Sequence, residues 1–179
     1  MRWLLLLSLA ACTYDATDDA IWTGTITRDG SQVAFAGYDP EPFQGFQFGA
    51  SPETMGYIDD GDSKLLVQIL LHFVNENFAI DRPTPPFTLP VQKTFMSGEK
   101  GMGIEYLERP AADQDKDFDV EPTYQVRSSE SEPGSITGNF TITDTDLSTF
   151  LDGDLQATLM DARGGTRQLT MKVHWLGQK

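Results

Sequence analysis

The chain is poor in cysteine, histidine and positive charge: one Cys, two His and 13 Lys and Arg against 27 Asp and Glu in 179 residues. Each shortage excludes something. A single cysteine, Cys12, cannot close an internal disulfide, so the fold must stand on packing. Neither histidine, His72 or His174, has a second His or Cys near it in sequence, so no zinc-ligand spacing exists. There is no Gly-x-Ser-x-Gly elbow to present a nucleophile to either of them. A formal charge of −14 opposes nucleic acid, whose binding needs phosphates neutralised by Lys and Arg, and opposes anionic lipid faces as well. The apolar run over residues 3–11 is far short of the ~20 residues that span a bilayer.

Residues 1–12, Met-Arg-Trp-Leu-Leu-Leu-Leu-Ser-Leu-Ala-Ala-Cys, place one basic residue, then an apolar run, then small residues before the lone cysteine. That is the outline of a secretory signal. The segment Leu9-Ala10-Ala11-Cys12 resembles the lipobox of bacterial lipoproteins, a likeness confined to the first 12 residues. The resemblance implies cleavage before Cys12, lipid on its thiol and acylation of the new N-terminus. Two or more acyl chains would hold the protein stably on a membrane. By the same resemblance, Thr13 rather than Asp at the next position favours outer-membrane over inner-membrane retention where the cell has two membranes. Cleavage would remove Arg2 and no acid, leaving 12 basic residues against 27 acids, a formal charge of −15.

The expected division is a signal peptide over residues 1–11, a lipidated Cys12 with an acidic tether over residues 12–20, and a single β domain over residues 21–179. From Trp22 the apolar pattern has period two, with Trp22, Gly24 and Ile26 alternating with threonines. Asp29-Gly30 marks a hairpin turn into a second strand through Val33 and Phe35. Residues 39–63 read as a long connection with one short strand through Phe46 and Phe48. Residues 64–74 fit a strand or a helix by periodicity, and the neighbouring strands favour a strand. Short strands follow over 87–89, as an edge, and over 102–107. The C-terminal third alternates most clearly, through Tyr124 and Val126, then Ile136 to Ile142, Leu155 to Leu159 and Leu169 to Trp175. The pattern predicts an all-β domain, an antiparallel β-sandwich or alternatively a β-barrel, of about 8–9 short strands. Its inner faces should hold Trp22, Ile26, Val33, Phe35, Phe140, Ile142, Leu169, Val173 and Trp175.

Candidate chemistry is sparse. His174 shares the polar face of the last strand with Gln168, Thr170 and Lys172, where a surface histidine is the simpler reading. His72 sits in an apolar run and reads as a partly buried structural residue. Asp113, Asp115, Asp117 and Asp119 have the spacing of the first half of an EF-hand loop. Phe118 stands where that loop needs Gly and Tyr124 where it needs Glu, so a solvated acidic loop is the simpler reading and no metal site is assigned. Asp152 and Asp154 read as turn acids. Tyr38, Phe43, Phe46, Phe48 and Tyr57 form an aromatic group that could stack on a sugar or grip a protein. No catalytic residue and no cofactor pattern emerges. The expectation is an envelope lipoprotein, non-enzymatic, showing a β surface to an envelope protein or glycan. A carbohydrate- or calcium-binding module and a hydrolase using carboxylates are the alternatives.

Overall fold

The computed structural model describes residues 21–38, 53–59, 64–74, 84–110, 122–129, 131, 133–145 and 150–176. Among these there is no helix, and ten strands form one sheet: β1 (Ile21–Arg28), β2 (Ser31–Tyr38), β3 (Glu53–Asp59), β4 (Lys64–Val74), β5 (Phe87–Gln92), β6 (Gly101–Pro110), β7 (Tyr124–Arg127), β8 (Ser135–Thr145), β9 (Phe150–Met160) and β10 (Thr166–Leu176). The sheet order is β4-β3-β2-β1-β10-β9-β8-β5-β6-β7, and a further ladder joins β4 to β6. The sheet therefore curls until its ladders meet. Two separately hydrogen-bonded sheets, as in the expected sandwich, are not what these pairings form. The sheet is also mixed, because β5 meets β6 in parallel while every other ladder is antiparallel.

Local chemistry explains the hairpins. Asp29 (φ 48°) and Gly30 (φ 80°) both lie in the left-handed region, the signature of the type I′ turn whose twist suits a two-residue hairpin. The β9–β10 turn is closed by the Asp161 carboxylate, which accepts from the backbone N–H of Arg163 (3.0 Å) and of Gly165 (2.7 Å). Residues 64–74 are a strand, with Val67, Ile69 and Leu71 fully buried on one face. The structure corrects the reading of 39–63, where β3 forms over Glu53–Asp59; residues 46 and 48 lie outside the described set. Asp152 and Asp154, read as turn acids, lie inside β9. Strand β5 is longer than expected and is no edge, running along β8 from Phe87 to Gln92.

The interior is built from cross-strand rows. One row runs Gly37, Trp22, Val173, Gly153, Ile142, Phe87, and the next Phe35, Gly24, Met171, Leu155, Phe140, Leu89. Each glycine in one row stands beside a large side chain of the other, Gly37 by Phe35, Gly24 by Trp22 and Gly153 by Leu155, so that the rows interlock. A β-carbon on Gly153 would come within 2.5 Å of the Phe140 ring, so that glycine is a socket. Of the expected inner residues, Trp22, Ile26, Phe35, Phe140, Ile142, Leu169 and Val173 are buried. Val33 is partly buried against them, and the Trp175 side chain lies outside the described set.

The ladders are unequal. Pairing is continuous through β2-β1-β10-β9-β8-β5 and through β3-β4-β6-β7. Among the described residues these two arcs meet through two residue pairs between β2 and β3, Gly37 with Gly56 and Tyr38 with Met55, and one between β5 and β6, Val91 with Met102. Pro90, which has no N–H to give, lies beside that single bridge. Ser128 reinforces it: its hydroxyl accepts from Ile104 N (2.7 Å) and donates to Gln92 O (3.1 Å). Ser128→Ala should remove both bonds and lower stability by about 1–3 kcal/mol, read as a lower urea midpoint at unchanged m-value.

Candidate functional site

The alternation that buries apolar residues also delivers charge to the interior. Arg28 continues the inward positions of β1, Arg167 those of β10 and Glu108 those of β6. Arg28 and Arg167 pair directly across the β1–β10 ladder, an arrangement that like charges disfavour. Glu108, 1% exposed, reaches them from the opposite arc. Its Oε1 accepts from Arg167 Nε (2.7 Å) and the Tyr106 hydroxyl (2.9 Å), its Oε2 from Arg167 Nη2 (3.1 Å) and Arg28 Nη2 (3.2 Å). All four acceptor positions of the carboxylate are used.

Aromatic rings close round this cluster. The Arg167 guanidinium lies 4.2 Å from the centroid of the Tyr124 ring, within cation–π range, and Tyr124 meets Tyr106 edge-on at 5.7 Å. Burial first, and then the neighbouring Glu108 charge, pushes the Tyr106 hydroxyl far above its ordinary pKa, so it serves as a donor only. Tyr124 is raised chiefly by burial and donates to Gly165 O at 3.1 Å. Burial works against the Asp161 charge. The bonds from Gly165 and Arg163 outweigh it and hold the carboxyl below the usual range. With the Glu108 carboxylate saturated by Arg167, Arg28 and Tyr106, this end of the interior reads as a packed plug.

The outer face of the larger arc is the other distinctive surface. Three cross-strand rows cover it: Gln32, Thr27, Gln168, Thr158, Thr137, Gln92; then Ala34, Thr25, Thr170, Gln156, Asn139, Pro90; then Ala36, Thr23, Lys172, Asp154, Thr141, Thr88. None of these residues is buried. Eight are threonines and five are amides, and the two charges, Lys172 and Asp154, pair with each other at 3.2 Å. In a chain with 22% charged residues, six strands thus present a face of no net charge. At its margin His174 lies opposite Asp152, its Nδ1 bonded to that carboxylate. A shallow recess of about 460 Å³ opens there between Thr23, Thr143, Lys172 and His174. Its carboxylates already have partners in register, Lys172 for Asp154 and His174 for Asp152, which suits a polar solute better than nucleophilic chemistry.

His174 is exposed, as expected of a surface histidine. His72 is half-buried and lies over Gly103, where a β-carbon would collide with the imidazole. Burial lowers the His72 pKa, against the raising effect of Glu105. Tyr38 and Tyr57 fall on the adjacent strands β2 and β3; Phe43, Phe46 and Phe48 lie outside the described residues, as do Cys12 and Asp113, Asp115, Asp117 and Asp119. Among the described residues no group of three His, Cys, Asp or Glu could hold a metal, and no helix is long and apolar enough to cross a membrane.

Two measurements follow from these contacts. Glu108→Gln removes the charge that separates Arg28 from Arg167 and should cost about 3–5 kcal/mol, read by denaturant titration. A lowered folded pKa means the His72 contribution is complete above its ordinary value of 6.5 and declines as pH falls below it towards the folded value. The urea midpoint should therefore drop between about pH 7 and pH 5, and His72→Gln should flatten that part of the profile.

Comparison with protein-family models, with curated proteins and with solved structures found no match.

Proposed function

We propose that this chain is a cell-envelope lipoprotein without enzymatic activity. It is anchored through Cys12, in the outer membrane where one exists, and uses the outer face of β2-β1-β10-β9-β8-β5 as its binding or assembly surface. The observation that carries the surface is its neutrality: a face of hydroxyls and carboxamides with one internal ion pair, in a chain of formal charge −14. Acidic surroundings turn away anionic polymers, while the face offers donors and acceptors to an uncharged, hydrogen-bonding partner such as an envelope glycan or a neutral protein surface. In this reading the two arcs are the walls of a flattened, sandwich-like barrel whose interior is filled. The anchor rests on residues 1–12 and their likeness to a lipobox.

The two parts are tested separately. Cys12→Ser should move the protein from the membrane to the soluble fraction, and a native protein whose mass retains residues 1–11 and a free thiol overturns the anchor. In the Cys12→Ser background, Thr170→Glu with Asn139→Glu places two charges in the middle row, kept apart by β9 between them. Sedimentation with isolated envelopes should weaken at least tenfold, about 1.4 kcal/mol, at unchanged thermal stability. Equal sedimentation overturns the face.

A further inference from the structure

The margin of the neutral face differs from its middle rows. Between Ile142 and Asp144 the β8–β9 register shifts, so that two residues of β8 oppose one of β9. That count is a β-bulge, a device that re-aims side chains and recurs beside binding sites. Ile142 is buried, whereas Thr143 and Asp144 are both exposed; without the bulge, Asp144 would share the inward parity of Ile142.

Next to the bulge the face carries two pairs in adjacent rows, Asp154 with Lys172 and Asp152 with His174. Alternate residues of a strand lie on one face about 6.6–6.8 Å apart. The recess of about 460 Å³ opens between these four side chains, Thr23 and Thr143. Each pair engages one oxygen, Oδ1, of its carboxylate. Among the described residues, both Oδ2 atoms, His174 Nε2 and the hydroxyls of Thr23 and Thr143 have no protein hydrogen bond. Lys172 uses one of the three donors of an ammonium on Asp154.

We propose that this recess binds a neutral pyranose unit of a glycan. The proposal rests on the reading of this face as a surface for uncharged partners, and it names the partner. The unused groups set the ligand chemistry. Carboxylate oxygens only accept, and their charge-assisted bonds are about twice as strong as neutral ones. The ammonium only donates, and a threonine hydroxyl does either. A sugar hydroxyl both gives and receives a hydrogen, so one ring meets all of these groups while both pairs stay intact. An anion would face Asp152 and Asp154 together, and a cation would have to displace Lys172 or His174. Strands β1, β10 and β9 are held by long ladders, so these groups are positioned before the ligand arrives, which lowers the ordering cost of binding.

Amide NMR of the soluble Cys12→Ser protein, titrated with the methyl glycosides of glucose, galactose and mannose, tests the site. At least one glycoside should shift the amides of Thr23, Asp152, Asp154, Lys172 and His174 along a saturating curve. Asp154→Asn removes one carboxylate charge and should weaken that binding at least about tenfold. Thr23→Val keeps the side-chain shape without the hydroxyl and should also weaken it, which decides the matter if Asp154→Asn fails to fold. The 2-amino and uronic acid counterparts of the preferred sugar, one cationic and one anionic, should bind less tightly than the glycoside. Shifts that rise without saturating for all three glycosides, saturation that both variants leave unchanged, or tighter binding of either charged counterpart overturns the proposal. Failure of the wider face has a different signature, unchanged envelope sedimentation of Thr170→Glu with Asn139→Glu. Weakened sedimentation of that variant with no glycoside saturation leaves the face standing and overturns the recess alone.

Discussion

One carboxylate holds the two arcs of this sheet in relation to each other. Glu108 stands on the smaller arc and binds Arg28 and Arg167 on the larger, through partners 80 and 59 residues away in sequence. Without it two arginines would face each other across a ladder on the inner face of the curled sheet. With it, every acceptor position is filled. Buried ion pairs return little net stability, because desolvation offsets their attraction. Their effect here is on arrangement: a slip of one residue in β1, β6 or β10 would turn its charged member to the outside. The apolar rows allow several near-equivalent packings, and the charged row at their end permits one.

The seams explain why such a tie is needed. Among the described residues three residue pairs connect the arcs by backbone, whereas β9 and β10 alone share an eleven-residue ladder. Hydrogen bonding thus makes two stiff walls and loose hinges. The core residues, Ser128 and the Glu108 cluster supply what the seams do not. Local opening should be concentrated where backbone pairing is thinnest, since stability is never uniform across a fold.

Period-two alternation made the walls legible in the sequence. It exposed the β class, most inner residues and the Asp29-Gly30 turn, because each is a local property. It left the closure hidden. Whether β4 finds β6, or β5 meets β6 in parallel, depends on partners tens of residues away that leave no mark on either strand. The Glu108 cluster did leave a mark. Arg28, Glu108 and Arg167 each occupy the inward parity of an apolar series, and a charge at such a position signals a buried partner. The neutral face was equally readable as a run of Thr and Gln at outward positions, but its extent emerged only when the registers aligned those residues into rows. Pro90 in β5 and the Pro- and Gly-rich sequence of 39–63 obscured strand boundaries, since turn-forming residue types there hid the short β3.

The ladder between β1 and β10 has a consequence in time. It joins β1 to β10, the first and last of the described strands, so the circuit of ladders cannot close until β10 has been made. Contacts of such sequence separation make folding slow. The nascent chain therefore lacks this long-range ladder for as long as β10 is still being made.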